Sequence, residues 1–159
     1  GRFKTIVITV SGFTIAHSFT LVSAALGWVT LPVPAIEAVI ALSIVFLARE
    51  LMLNRRDSLT WQKPVLVSMS FGLLHGFGFA AVLQDIGLPQ TELPAALLFF
   101  NIGVELGQLL FVGVAALVFV LAQKLVRLSD DRNVLLQKTN GALVGCLASF
   151  WLFERLAGF

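Results

Sequence analysis

Three ionisable side chains lie where hydrocarbon would surround them. His17 sits about ten residues from either end of a first apolar run, and His75 lies about eleven residues into a third. Glu105 follows Pro94 by eleven residues, or ~16 Å along a helix at 1.5 Å per residue. A central charge in a bilayer costs at least ~2.5–3.5 kcal/mol on insertion scales, so such groups face a partner or a cavity. Two imidazoles and a carboxylate at matching depth could meet around one point. Asn101, Glu105 and Gln108 fall at i, i+4 and i+7, which makes them one polar stripe on a helix. Thr14, His17 and Ser18 cluster one turn beyond Ser11. Imidazole with carboxylate and amide oxygen suits borderline divalent metals such as nickel, cobalt or zinc. Histidine also titrates near neutral pH, which allows a proton relay. Against these readings stands a structural one, in which the same groups pair with one another and lock helices together. Glu37 has two readings too, a role in ion entry or a carboxylate favoured by a helix N-terminus. Arg49 and Glu50 read as interfacial, with snorkelling stems.

Five helices are needed to carry these residues. A bilayer core takes ~20 apolar residues as a helix. The expected spans are about 4–27, 35–53, 64–84, 93–125 and 137–156, forming one transmembrane domain over residues 1–159. Trp28 marks an interface, Pro32 and Pro34 a turn, and Pro64 the start of the third span. Gly87, Pro89 and Pro94 punctuate the next connection. The last span has the least distinct start, because Gln137, Lys138 and Asn140 interrupt it. Gly72, Gly76 and Gly78 flank His75, which predicts close approach by another backbone or an ion and a weakened helix. Gly103 and Gly107 predict a packing face turned away from Glu105.

The few charges are unevenly placed. Five spans put Arg2, Lys4, Arg49, Arg55, Arg56, Lys63, Lys124, Arg127, Arg132 and Lys138 on one side, and only Arg155 on the other. By the positive-inside rule the N-terminus is cytoplasmic and the C-terminus outside. The outer side gathers Glu37, Asp85, Glu92 and Glu154, a rim that would attract cations.

Composition excludes most other classes. Hydrophobic residues make up 58% of the 159, and thirteen glycines carry the apolar share to about 66% against ~45–50% for a soluble domain. Charged residues are 13%, and the mean hydropathy is +0.94. Soluble domains, disordered tails and nucleic-acid binders do not look like this. Cys146 is the one cysteine, so no internal disulfide and no thiolate metal site can form. No nucleotide loop or nucleophile elbow is present, and no enzyme activity or tightly bound cofactor is expected. The chain opens at Gly1 without methionine, which suggests a piece of a longer protein.

Three segments together resemble the HupE/UreJ family of membrane proteins, proposed nickel/cobalt permeases. They are Phe13-Thr14-Ile15-Ala16-His17-Ser18-Phe19-Thr20-Leu21, with Leu26-Gly27-Trp28 and Pro34 and Glu37 after it; Phe71-Gly72-Leu73-Leu74-His75-Gly76-Phe77-Gly78-Phe79-Ala80; and Phe100-Asn101-Ile102-Gly103-Val104-Glu105-Leu106-Gly107-Gln108. The resemblance implies a multi-pass secondary transporter of the bacterial inner membrane that carries a divalent metal. It makes His17, His75, Asn101 and Glu105 candidates for the ion path, with Gln108 and Glu37 beside it. The family's upstream helix with an H-x5-D-H pattern has no counterpart in this sequence. A membrane-embedded metal-dependent hydrolase and a non-transporting assembly subunit are the competing functions. The lipid bilayer and the metal are the expected partners, with room for a homo-oligomer.

Overall fold

The structure, a computed structural model, describes residues 2–54, 57–86, 91–126 and 130–158. Arg55, Arg56, Arg127, Gly87 and Pro89 lie outside the described residues, as do the side chains of Arg2, Asp85 and Lys124. All regular elements among the described residues are helices: α1 (Arg2–Ala25), α2 (Val33–Leu53), the one-turn α3 (Leu59–Gln62), α4 (Pro64–Ile86), α5 (Leu93–Val126) and α6 (Asp130–Ala157). The all-α expectation therefore holds.

Local chemistry sets the boundaries. Gly27 closes α1 with φ +73°. Its N–H donates to Ala24 O (3.0 Å) and that of Trp28 to Ser23 O (2.9 Å), which satisfies carbonyls at the helix end. Pro34 lies in the first turn of α2, where its missing N–H is harmless. Asn54 ends α2 in the left-handed region at φ 49°, and its N–H donates to Glu50 O (3.1 Å). The start of α6 at Asp130 is earlier than expected for the last span. The polar residues that obscured this start do structural work: Gln137 Nε2 donates to Leu51 O (2.8 Å) and lies 3.4 Å from Asn54 Oδ1. One side chain thus serves the frayed end of α2.

The principal contacts run as a row, α5–α1–α4–α2–α6, with α3 against α4. Contacts along each seam give the directions. Ser68 meets Thr9, Gly72 meets Phe13 and Gly76 meets His17, a constant offset that makes α1 and α4 parallel. Gly78 faces Ile40 while Phe71 faces Phe46, so α2 runs against α4. Gly145 and Gly141 meet Ala48 and Gln137 meets Leu51, so α6 runs against α2.

The α1–α4 seam is built from small residues. Ser68, Gly72, Gly76 and Ala80 recur every four positions on α4, opposite Gly12, Ala16, Thr20 and Ala24 on α1. A Cβ at Gly72 would strike the Phe13 carbonyl, and one at Gly76 would strike Thr20 Oγ1 and the His17 carbonyl. Small-xxx-small stripes of this kind let helix backbones touch where lipid removes the hydrophobic drive between helices. The glycines around His75 therefore pack helices, and α4 stays continuous through them. The stripe expected at Gly103 and Gly107 behaves differently, because nothing lies within 4 Å of a Cβ at either. Its face is outward, since α5 meets α1 through the polar stripe instead.

Among the described residues two helices, Lys4–Ala25 and Leu93–Gln123, are long and apolar enough to cross a membrane, and the apolar stretch Pro64–Ala80 of α4 is shorter. Every 18-residue window of α2 contains Glu37, Arg49 and Glu50, and the apolar stretch 141–153 of α6 is bounded by Gln137, Lys138 and Asn140 on one side and Glu154 and Arg155 on the other, which accounts for their weaker signal.

Candidate functional site

The chemistry collects on α1. His17, midway along it, is 1% exposed. Its Nδ1 lies 3.3 Å from Asn101 Oδ1 on α5. Asn101 Nδ2 donates to Leu97 O (2.8 Å), so the amide oxygen can only accept and His17 Nδ1 is the donor. The other nitrogen, Nε2, keeps its lone pair and is buried without a partner. An orphaned polar atom of this kind costs about 1–3 kcal/mol. Aromatic rings hold the imidazole in place: Phe13 and Phe100 stack on it at 5.8 and 6.3 Å, and Phe79 meets it edge-on at 5.5 Å.

His75 repeats the arrangement on α4. Its Nδ1 donates to the Phe71 carbonyl one turn back (2.8 Å), which also leaves Nε2 as the lone-pair nitrogen. Phe13 contacts this ring too, edge-on at 5.4 Å. Both imidazoles are thus anchored through Nδ1, as histidine ligands of metals usually are through their second nitrogen.

The α5 stripe faces α1 as its spacing predicts. Ser11 Oγ donates to Glu105 Oε1 (2.7 Å), and the Thr14 hydroxyl sits between Val10 O (3.3 Å) and Gln108 Oε1 (3.4 Å). Asn101, Glu105 and Gln108 each have a partner on α1.

The donors do not converge on one point. Among the described residues no group of three or more His, Cys, Asp or Glu is placed to hold a metal. Phe13 lies against both imidazoles, and His75 reaches α1 from the α4 side while Glu105 reaches it from the α5 side. The donors are strung along α1 rather than gathered. Glu37 is elsewhere, on α2, with Oε2 3.3 Å from Arg155 on α6. Glu50, on the same helix, is covered by protein. It is 7% exposed, Oε1 lies 3.9 Å from the Arg49 guanidinium, and Oε2 has no partner.

The aromatic rings around His17 were not among the residues singled out in the sequence. A signal was present: Phe13 precedes His17 by one turn.

An all-helical, membrane-associated protein with polar groups paired midway along its helices is the class that this fold and site define. Residues 1–155 match the model of the family described as HupE / UreJ protein. The chain belongs to that family, which is one of transporters rather than enzymes. No curated protein and no solved structure gives a significant match.

Proposed function

We propose that this chain is a secondary transporter for a divalent transition-metal ion, nickel or cobalt, in a bacterial inner membrane. One observation carries the reading: two imidazoles deep in an apolar bundle are both pinned at Nδ1 and both present Nε2. That nitrogen suits a borderline divalent cation, and the absence of any cysteine at the site disfavours soft Cu(I). Asn101, Glu105 and Gln108 supply oxygen donors on the facing helix.

Five crossings with a cytoplasmic N-terminus agree with the helix directions, since α1, α4 and α6 run one way and α2 runs the other. The basic residues then lie inside and Arg155 outside. Because the donors are spread along α1, an ion passes between them in steps. Phe13 must turn aside for both imidazoles to reach one ion, so α1, α4 and α5 shift during carriage.

The test is nickel and cobalt uptake by cells at matched expression. His75→Ala and Glu105→Gln should each abolish most of it. Unchanged uptake in both would rule the mechanism out. A second reading has an observation of its own, since the α1–α5 polar pairs also serve as helix glue. An accessory subunit would lose stability, and not uptake, when they are replaced.

A further inference from the structure

Two adjoining cavities lie along α1 between His75 and the start of that helix. One of about 320 Å³ is lined by His75, Phe13, Ser43, Ser68, Thr9 and Thr60 among others. The second, of about 620 Å³, opens toward the end where α1 begins, past Thr5, Ile6 and Trp61. Thr9, Thr60 and Pro64 line both, so the two chambers meet there.

The hydroxyls at this junction are anomalous. A serine or threonine in an apolar helix ordinarily donates to a carbonyl one turn back. Thr14, Ser18, Thr20, Ser23, Ser43 and Ser70 all donate to a carbonyl of their own helix. Thr9 Oγ1 and Thr60 Oγ1 are buried and have no partner, and Ser58 Oγ in the same connection is a third. The Thr9 carbonyl is itself taken by Ser68 (2.9 Å). A buried hydroxyl left unpaired costs free energy, which any rearrangement that hydrates it recovers. The means for such a rearrangement is at hand, because α3, which carries Thr60, makes its principal contact with α4 and lies outside the glycine seams.

We infer that Thr9 and Thr60 form the cytoplasmic gate of the ion path, closed in this structure. The inference rests on the permease reading. When α3 swings from α1 the two chambers join, and the freed hydroxyls pair with the water shell of the outgoing divalent cation. They supply hydrogen bonds to the hydrated ion as it leaves, while the imidazoles hold it deeper in.

The experiment uses the full chain in vesicles with nickel as the probe. Thr9→Val/Thr60→Val keeps the shape and removes both hydroxyls. Uptake should fall about fivefold, the rate equivalent of one net hydrogen bond, with the thermal midpoint unchanged or raised. Full uptake, or a loss that merely follows a lowered midpoint, overturns the gate. In a Cys146→Ser background, Thr60→Cys should react with an impermeant thiol reagent from the cytoplasmic face, and faster while nickel is carried. Reaction only from the outer face, or at a rate indifferent to nickel, overturns it as well. If wild-type vesicles carry no divalent cation, the permease reading fails and the gate with it. Wild-type transport with full transport by the double valine variant removes the gate alone.

Discussion

His17 has one nitrogen bonded and the other bare, and that asymmetry is the main chemical fact at the residue scale. Asn101 sets it, through an amide whose own N–H₂ is held by Leu97 O. Replacing Asn101 with Leu removes the acceptor while keeping the bulk, so the imidazole loses its fixed tautomer. Loss of such an outer partner typically weakens metal binding about 10–100-fold. Calorimetric titration of nickel into purified Asn101→Leu should show that weakening, with helix content unchanged by circular dichroism. Affinity equal to wild type would mean that Asn101 orients nothing. His17, His75 and Glu105 stand out in the sequence because charge is so scarce there. Their positions relative to one another were not legible. Depth along a helix follows from counting, whereas convergence depends on which faces meet, and Phe13 occupies the space where the imidazoles were expected to share an ion. Glu37 shows the same limit. Its place near the start of α2 was readable, but its partner Arg155 lies 118 residues away in the chain, beyond the reach of local patterning.

At the scale of elements, two glycine stripes with the same spacing have opposite fates. Gly72 and Gly76 bring α4 onto the α1 backbone, while Gly103 and Gly107 face outward. A helix has only so many faces, and the α5 face that meets α1 is claimed by Asn101, Glu105 and Gln108. Spacing identifies a stripe, but competition between faces decides its use. Gly76→Leu should therefore destabilise the protein by about 3 kcal/mol or more, since the clash is with backbone that cannot repack. Gly103→Leu should stay within about 0.5 kcal/mol. Unfolding in mixed detergent measures both, and equal effects would contradict the seam. The first four long helices were readable to within a few residues, because proline and glycine punctuate them. The early start of α6 was not, since Gln137 reads as an interruption until its bond to the end of α2 is seen.

At the scale of the molecule, the usual arrangement of size and polarity is inverted. Small and polar residues such as Ala41, Ser43, Thr20 and His17 make up much of the interior, beside a small apolar cluster around Leu21, Leu93 and Leu97. Large apolar ones point out, with Phe111 at 74% and Phe150 at 71% exposure. In water such a surface would associate, but in lipid it is solvated, and packing of small residues and hydrogen bonds must hold the helices instead. Hydrophobic excess in the sequence made this readable as a class. The order of the row was not, because α5 and α6 are neighbours in sequence and yet stand at opposite ends of it.

The central claim is that this bundle itself carries a divalent cation past His17 and His75. Purified protein in liposomes with a trapped nickel-sensitive fluorophore tests it most directly, comparing wild type with His17→Ala/His75→Ala at equal reconstitution. The account predicts saturable nickel entry with the wild type and a rate at the protein-free background with the variant. Equal entry through both proteins, or none through a correctly folded wild type, would contradict it.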